Sequence, residues 1–110
     1  MRTDGAVPAT MRAVAIDAFG GPEKLTVHEV AVPAVARNEV MIRVDTAGVG
    51  VWDAKARRGQ WADGRERFPM VLGADGAGTI AALGDDVNGL HLGDAVYGYA
   101  YGDAKGQLRV

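Results

Sequence analysis

The sequence contains no cysteine among its 110 residues. This absence excludes a disulfide framework and every zinc site built on thiolate ligands, and it is typical of a cytoplasmic protein. Only two histidines are present, His28 and His91, and no third or fourth ligand lies at a metal-like spacing from either. Because zinc needs at least three protein ligands, we expect no metal site.

The sequence also lacks long apolar runs and an excess of basic charge. No stretch approaches the roughly 20 apolar residues of a membrane span, and the first residues contain no apolar run typical of a signal peptide. Twelve basic residues stand against 14 acidic ones, for a net charge of −2. Because a nucleic-acid binder is more often basic, we expect no nucleic-acid partner. The lack of a membrane span and of a signal peptide leads us to expect a cytoplasmic protein with no membrane partner.

Runs of apolar and β-branched residues separated by turn signals predict a mostly β domain. Residues 1–10 show no periodicity and are predicted to form a flexible tail, and residues 11–110 form one domain. The predicted strands begin at Met11 and cover 25–32, 39–47, 79–83 and 95–101, and a further strand begins at Gln107. We therefore expect an all-β fold with one short helix, in a small closed or nearly closed sheet.

The strand at 39–47 shows the clearest alternation in the chain. The pattern predicts one face formed by Val40, Ile42, Val44 and Thr46, and an opposite face formed by Met41, Arg43 and Asp45. The helix is predicted over residues 51–58, where Asp53 and Arg57 are spaced for a surface ion pair.

The stretch GADGAG, residues 73–78, could indicate a phosphate-binding loop. A dinucleotide fingerprint, however, requires a G-x-G-x-x-G order between a strand and a helix, and a strand-like run follows here. We interpret these residues as a structural turn in which small side chains allow backbones to approach closely. The turn consists of Gly73, Asp75, Gly76 and Gly78, and Asp75 is predicted to accept hydrogen bonds from loop amides.

Several motifs, in this order, resemble one protein family. FGGPEKL, the helix entrance AGVGVWD and FPMVLGADGAG…VNGLHLGDAVYGY are similar to the N-terminal GroES-like domain of the medium-chain dehydrogenase/reductase superfamily. The similarity is nearest to the zinc-independent, NADPH-dependent quinone oxidoreductases. It implies a GroES-like, partly open β-barrel that is incomplete at its C-terminus.

The resemblance also assigns positions to a site. Gly50 stands where zinc-dependent relatives have a zinc-ligating cysteine, and Ala74 and Asp75 stand where they have histidine and glutamate, which implies that zinc is absent. No residue is assigned a catalytic role. A substrate or cofactor pocket is expected at Gly50, Val51, Trp52 and Asp53. Trp52 either forms a wall for a flat quinone or only packs the helix on the barrel, and Asp53 is interpreted as a helix-start residue.

The implied activity is hydride transfer from NADPH to a quinone or enone. The 110 residues contain no strand–helix–strand unit for a dinucleotide, so the Rossmann domain is expected to be absent, the chain truncated and inactive alone, and its partner that missing domain or a complementing chain. Self-association is a further expectation. The alternative is a non-enzymatic GroES-like β-barrel that acts as a binding or assembly module.

Tyr97, Tyr99 and Tyr101 share one strand face. They are expected to cover the barrel or to line the cleft against a second domain, since stacking of bases would require a basic groove that is missing.

Overall fold

The computed structural model describes residues 1–5 and 7–100. The predicted continuation of the last strand at Tyr101 and the predicted strand at residues 107–110 lie outside this range. Strands and one α-helix follow in this order: β1 (Arg2–Thr3), β2 (Thr10–Ile16), β3 (Thr26–Ala31), β4 (Val40–Ala47), α1 (Val51–Arg57), β5 (Met70–Val71), β6 (Asp75–Leu83) and β7 (Ala95–Tyr99). A short 3-10 turn at Pro22–Lys24 precedes β3. In the described residues the helix is too short to cross a membrane.

Strand β6 is the centre of the larger sheet. It pairs with β4 along one edge, and on the other edge with β7 over its first half and with β1 at Ala82 and Leu83. All these pairings are antiparallel. The smaller sheet has the order β3–β2–β5. Neither sheet closes within the described residues, which confirms the predicted all-β class with one short helix in a partly open barrel.

The ladder between β4 and β6 contains two β-bulges. One leaves Ala81 of β6 without a residue directly opposite, and the other does the same for Asp45 of β4. A bulge bends its strand and increases the local twist. The two bulges therefore curve the long β4–β6 pair as a barrel wall requires, and strict alternation in the sequence could not predict them.

The buried apolar side chains come mainly from β2 and β6, and are Ala15, Ile16, Met41, Met70, Ile80, Ala81, Ala82 and Leu83. Met41 was predicted on the face opposite Ile42 and is nevertheless only 7% exposed. Val7, Val32 and Val35 pack against the cluster that Met41 forms with two alanines of β6. Both sides of this end of the sheet are thus covered.

The predicted flexible tail at residues 1–10 includes strand β1. The Arg2 guanidinium donates a hydrogen bond to the Val87 carbonyl oxygen at 2.7 Å. The N-terminal ammonium group pairs with the Asp85 carboxylate and lowers the pKa of Asp85. These contacts hold the start of the chain on the end of β6, and the flexibility of the tail in solution stays a prediction.

The imidazole of His28 joins β3 to the end of β2. Its Nδ1 lies 3.1 Å from the Thr26 carbonyl oxygen, and its Nε2 lies 2.9 Å from Asp17 Oδ2. Both acceptors favour a ring that carries two protons, because a neutral ring can donate only one hydrogen bond. The bond to the Thr26 backbone and then the bond to Asp17 raise the pKa of His28 above 6.5.

This geometry predicts a pH dependence. Because the pKa is higher in the folded than in the unfolded chain, the pair stabilises the fold below about pH 6.5 and ceases to do so as the pH rises through the folded-state pKa. An NMR titration of the His28 ring should give a midpoint above 6.5, and Asp17→Asn should move it down. A midpoint at or below 6.5 in the parent chain would contradict the arrangement.

Candidate functional site

The entrance loop, residues 48–50, connects β4 to α1. The Gly48 amide donates a hydrogen bond to the Asp75 carbonyl oxygen at 3.4 Å, which ties the loop to the first residue of β6. A β-carbon at position 48 would lie 2.9 Å from Asp75 Cγ and closer still to Oδ1. The Asp75 carboxylate therefore lies against the Gly48 backbone. The Gly48 amide thus donates to the backbone oxygen of Asp75, whereas the sequence had suggested the Asp75 carboxylate as the acceptor.

Helix α1 begins with a reciprocal cap. Asp53 Oδ2 accepts a hydrogen bond from the Gly50 amide at 2.9 Å, and the Asp53 amide donates to the Gly50 carbonyl oxygen at 3.0 Å. A carboxylate in the first turn also lies favourably in the field of the helix. This bond confirms the helix-start interpretation of Asp53.

The predicted Asp53–Arg57 surface pair is wrong. Arg57 is only 9% exposed, and its Nε donates to the Gly20 carbonyl oxygen at 3.1 Å. The Gly20 amide in turn donates to the Arg57 carbonyl oxygen at 3.0 Å. The last residue of α1 is thus fixed to the loop after β2, and the helix that carries the site is held at both ends.

The Trp52 indole lies directly against the Gly50 backbone. A β-carbon at position 50 would lie 2.7 Å from Trp52 Cδ2 and closer still to Cε2 and Cζ2. Trp52 remains 44% exposed. The ring therefore covers the α-carbon of Gly50 and still presents part of its own surface outward.

Large side chains of the entrance loop, of the first turn of α1 and of β7 are also exposed. Their exposed fractions are 92% for Val49, 66% for Val51, 90% for Tyr97 and 64% for Tyr99. Tyr99 pairs with Asp75 across the β6–β7 ladder. We call these four residues and Trp52 the entrance surface, because they occupy the loop, the start of α1 and the neighbouring edge of the sheet.

The glycine-rich stretch is only partly the predicted turn. Gly73, with a φ of +113°, lies before β6 in the left-handed region, whereas Asp75, Gly76 and Gly78 are residues of β6 itself. The stretch continues as a strand because its small residues let β4 approach: a β-carbon on Gly78 would overlap the β4 backbone at Arg43. Close backbone packing is therefore observed at Gly78, whereas a β-carbon on Gly73 would meet no heavy atom within 4 Å.

The predicted pocket residues are adjacent in the structure as they are in the sequence, with Gly50 and Asp53 joined by the cap. Among residues 1–5 and 7–100, no three His, Asp or Glu side chains are grouped so that they could hold a metal ion. Sequence reasoning missed two features, the contact of the indole with Gly50 and the two hydrogen bonds between Arg57 and Gly20. The glycine two positions before Trp52 was the available signal for the first, and no local pattern indicated the second.

Comparisons with known proteins place this geometry in context. The alcohol dehydrogenase GroES-like domain matches residues 36–109. A quinone oxidoreductase from Lama guanicoe is 39% identical over 88 residues, which are 79% of this chain and 26% of that protein. These likenesses, with the structures below, confirm the predicted GroES-like class.

Two solved structures bear on the cofactor and the metal. Escherichia coli quinone oxidoreductase complexed with NADPH superposes with a TM-score of 0.75 at 25% identity, covering 84% of this chain and 28% of that one. Cobalt- and zinc-bound thermostable alcohol dehydrogenase from Pyrobaculum aerophilum gives a TM-score of 0.70 at 33% identity, covering 80% and 26%. The chain thus spans about a quarter of the length of these relatives.

Proposed function

Because the chain belongs to the alcohol dehydrogenase GroES-like domain family of the medium-chain dehydrogenase/reductase superfamily, a family of oxidoreductases, we propose that it is the substrate-side domain of a zinc-independent, NADPH-dependent quinone or enone oxidoreductase. The observation that carries the proposal is the Trp52 indole lying on Gly50. It gives the site a flat, partly exposed aromatic wall of the kind that suits a planar conjugated substrate.

The same contact argues against a zinc site of the alcohol dehydrogenase type. The zinc-ligand positions inferred from the resemblance hold Gly50, Ala74 and Asp75, of which only the last has a side chain that can ligate a metal. Any ligand side chain at position 50 would also meet the Trp52 ring. The residues present therefore do not fit the metal, and zinc plays no part in the proposed reaction.

NADPH binding is proposed to lie outside the described residues. These contain antiparallel sheets and no parallel strand–helix–strand unit, so they do not fit a Rossmann dinucleotide site. The E. coli relative, a quinone oxidoreductase complexed with NADPH, supports NADPH as the cofactor. We propose that a Rossmann domain, in the same polypeptide or in a complementing chain, binds NADPH and covers the entrance surface, which would exclude water from the site.

The test is an assay on the polypeptide that carries these residues, purified from its source and identified by intact mass. With NADPH and duroquinone, a fully substituted quinone, we expect NADPH oxidation at 340 nm that is unchanged after dialysis against EDTA. The isolated 110-residue chain should neither oxidise NADPH nor bind it.

Two results would contradict the proposal. Activity that EDTA abolishes and zinc restores would show that the enzyme depends on zinc. Binding of NADPH to the isolated chain at micromolar concentration would show that the nucleotide site lies within it. Zinc content measured on the dialysed protein is the control that makes the EDTA result interpretable.

A further inference from the structure

The contact between Gly50 and Trp52 is mutually exclusive with a side chain at position 50. A β-carbon there would lie 2.7 Å from Trp52 Cδ2, and real β-carbons essentially never come within 3.0 Å of another heavy atom in such contacts. Trp52 is two residues further on and sits in the first turn of α1. The indole can therefore rest on the backbone only while position 50 is glycine.

We propose that Gly50 and Trp52 form one specificity-determining pair that selects flat, conjugated substrates. This inference rests on the proposed function and adds to it. The Gly50 backbone lies against the indole, and because Trp52 is 44% exposed, we assign the uncovered side of the ring as the π-surface of the site. A flat, conjugated ring can stack offset on such a surface, whereas a saturated ring, with hydrogens above and below its plane, cannot approach it as closely.

The rigid support of the indole is the reason for assigning selectivity to the pair and not to tryptophan alone. The cap between Asp53 and the Gly50 amide fixes the backbone on which the ring lies. A ring that is held before the substrate arrives loses little conformational freedom on binding, so more of the stacking energy contributes to affinity. A residue at position 50 that lifts the ring would remove this advantage while leaving tryptophan in place.

The claim that a side chain at position 50 displaces the Trp52 ring can be tested without any ligand. In a Trp61→Phe background, Trp52 is the only tryptophan of the chain, and Trp61 lies outside the site in an exposed loop. Gly50→Ala should then shift Trp52 emission to longer wavelength and increase its quenching by acrylamide, because the ring moves into solvent. An unchanged emission spectrum would overturn the pairing.

Selectivity for flat substrates is tested with two matched probes, duroquinone and its saturated counterpart 2,3,5,6-tetramethylcyclohexane-1,4-dione. The absence of cysteine removes the usual nucleophile for quinones. By calorimetric titration, the parent chain should prefer duroquinone, and Trp52→Ala should weaken duroquinone binding by about fivefold to tenfold, with little change for the dione. Trp61→Ala, which removes an exposed tryptophan elsewhere, should leave both affinities unchanged.

The two substitutions should also be non-additive, as expected for residues in contact. Gly50→Ala should weaken duroquinone binding in the parent chain and have no further effect in a Trp52→Ala background. Additive losses, or a Trp52→Ala chain that keeps its preference, would overturn the inference. No preference for duroquinone in the parent would do the same.

The outcomes separate this inference from the proposed function. If the native polypeptide reduces quinones with NADPH but Trp52→Ala leaves the preference intact, only the pair loses its role. If the polypeptide reduces no quinone while the emission and affinity changes occur as expected, the proposed activity fails and a binding site selective for flat, conjugated rings remains.

Discussion

Gly78→Ala is expected to lower the free energy of unfolding by about 3 kcal/mol, and the melting temperature by roughly 15 °C. Gly78 lies in the central strand β6, opposite Val44 of β4. An added β-carbon would lie 2.8 Å from the Arg43 carbonyl carbon, closer still to the carbonyl oxygen, and 3.1 Å from the Asp45 amide nitrogen. All three are backbone atoms, so no side-chain rotation relieves the overlap and the strands must separate.

Gly98→Ala is the matched control for this prediction. Gly98 lies in β7, in the same sheet, and a β-carbon there would have no heavy atom within 4 Å. We expect its stability to change by less than about 1 kcal/mol, because the loss of chain entropy on folding decreases and no contact is strained. Chemical unfolding of both variants and the parent checks the pair. Equal effects would mean that the close approach of β4 and β6 is absent in solution.

The reason for this difference between two strand glycines could not be read from the sequence. Both follow apolar or small residues in a strand-like run, and both suit a close backbone approach. Only the bulge that leaves Asp45 unpaired brings the β4 backbone over position 78. This bulge is set by the pairing of Val44 with Gly78 and of Thr46 with Ala77, residues far apart in the chain. Alternation within either strand therefore predicts the strand without predicting its bend.

In the candidate site, too, the sequence predicted which residues lie together but not how their side chains are arranged. The resemblance and the residue types placed Gly50 and Trp52 together at the entrance of the one helix. They could not indicate that the indole turns back onto the glycine, because the rotamer depends on what surrounds it. Likewise, the i, i+4 spacing favoured an Asp53–Arg57 pair. The structure instead pairs Asp53 with the backbone before it and Arg57 with a carbonyl 37 residues away in the chain.

That long-range bond leads to the second large effect. Arg57→Ala is expected to cost about 2–3 kcal/mol of unfolding free energy. The substitution removes the hydrogen bond to the Gly20 carbonyl and also a side chain that is only 9% exposed. Because Arg57 is the last residue of α1, the loss should also raise amide hydrogen exchange along the helix relative to β6.

Arg58→Ala is the control, since Arg58 carries the same charge at the next position and its side chain is exposed. Its expected effect is within about 0.5 kcal/mol. Arg57→Met separates the two contributions, because methionine keeps much of the buried stem and loses the donor; it should fall between the parent and alanine. If Arg57→Ala and Arg58→Ala are equally stable, the hydrogen bonds between Arg57 and Gly20 do not hold α1 on the barrel. In that case the rigid support argued for the Trp52 ring rests on the Asp53 cap alone.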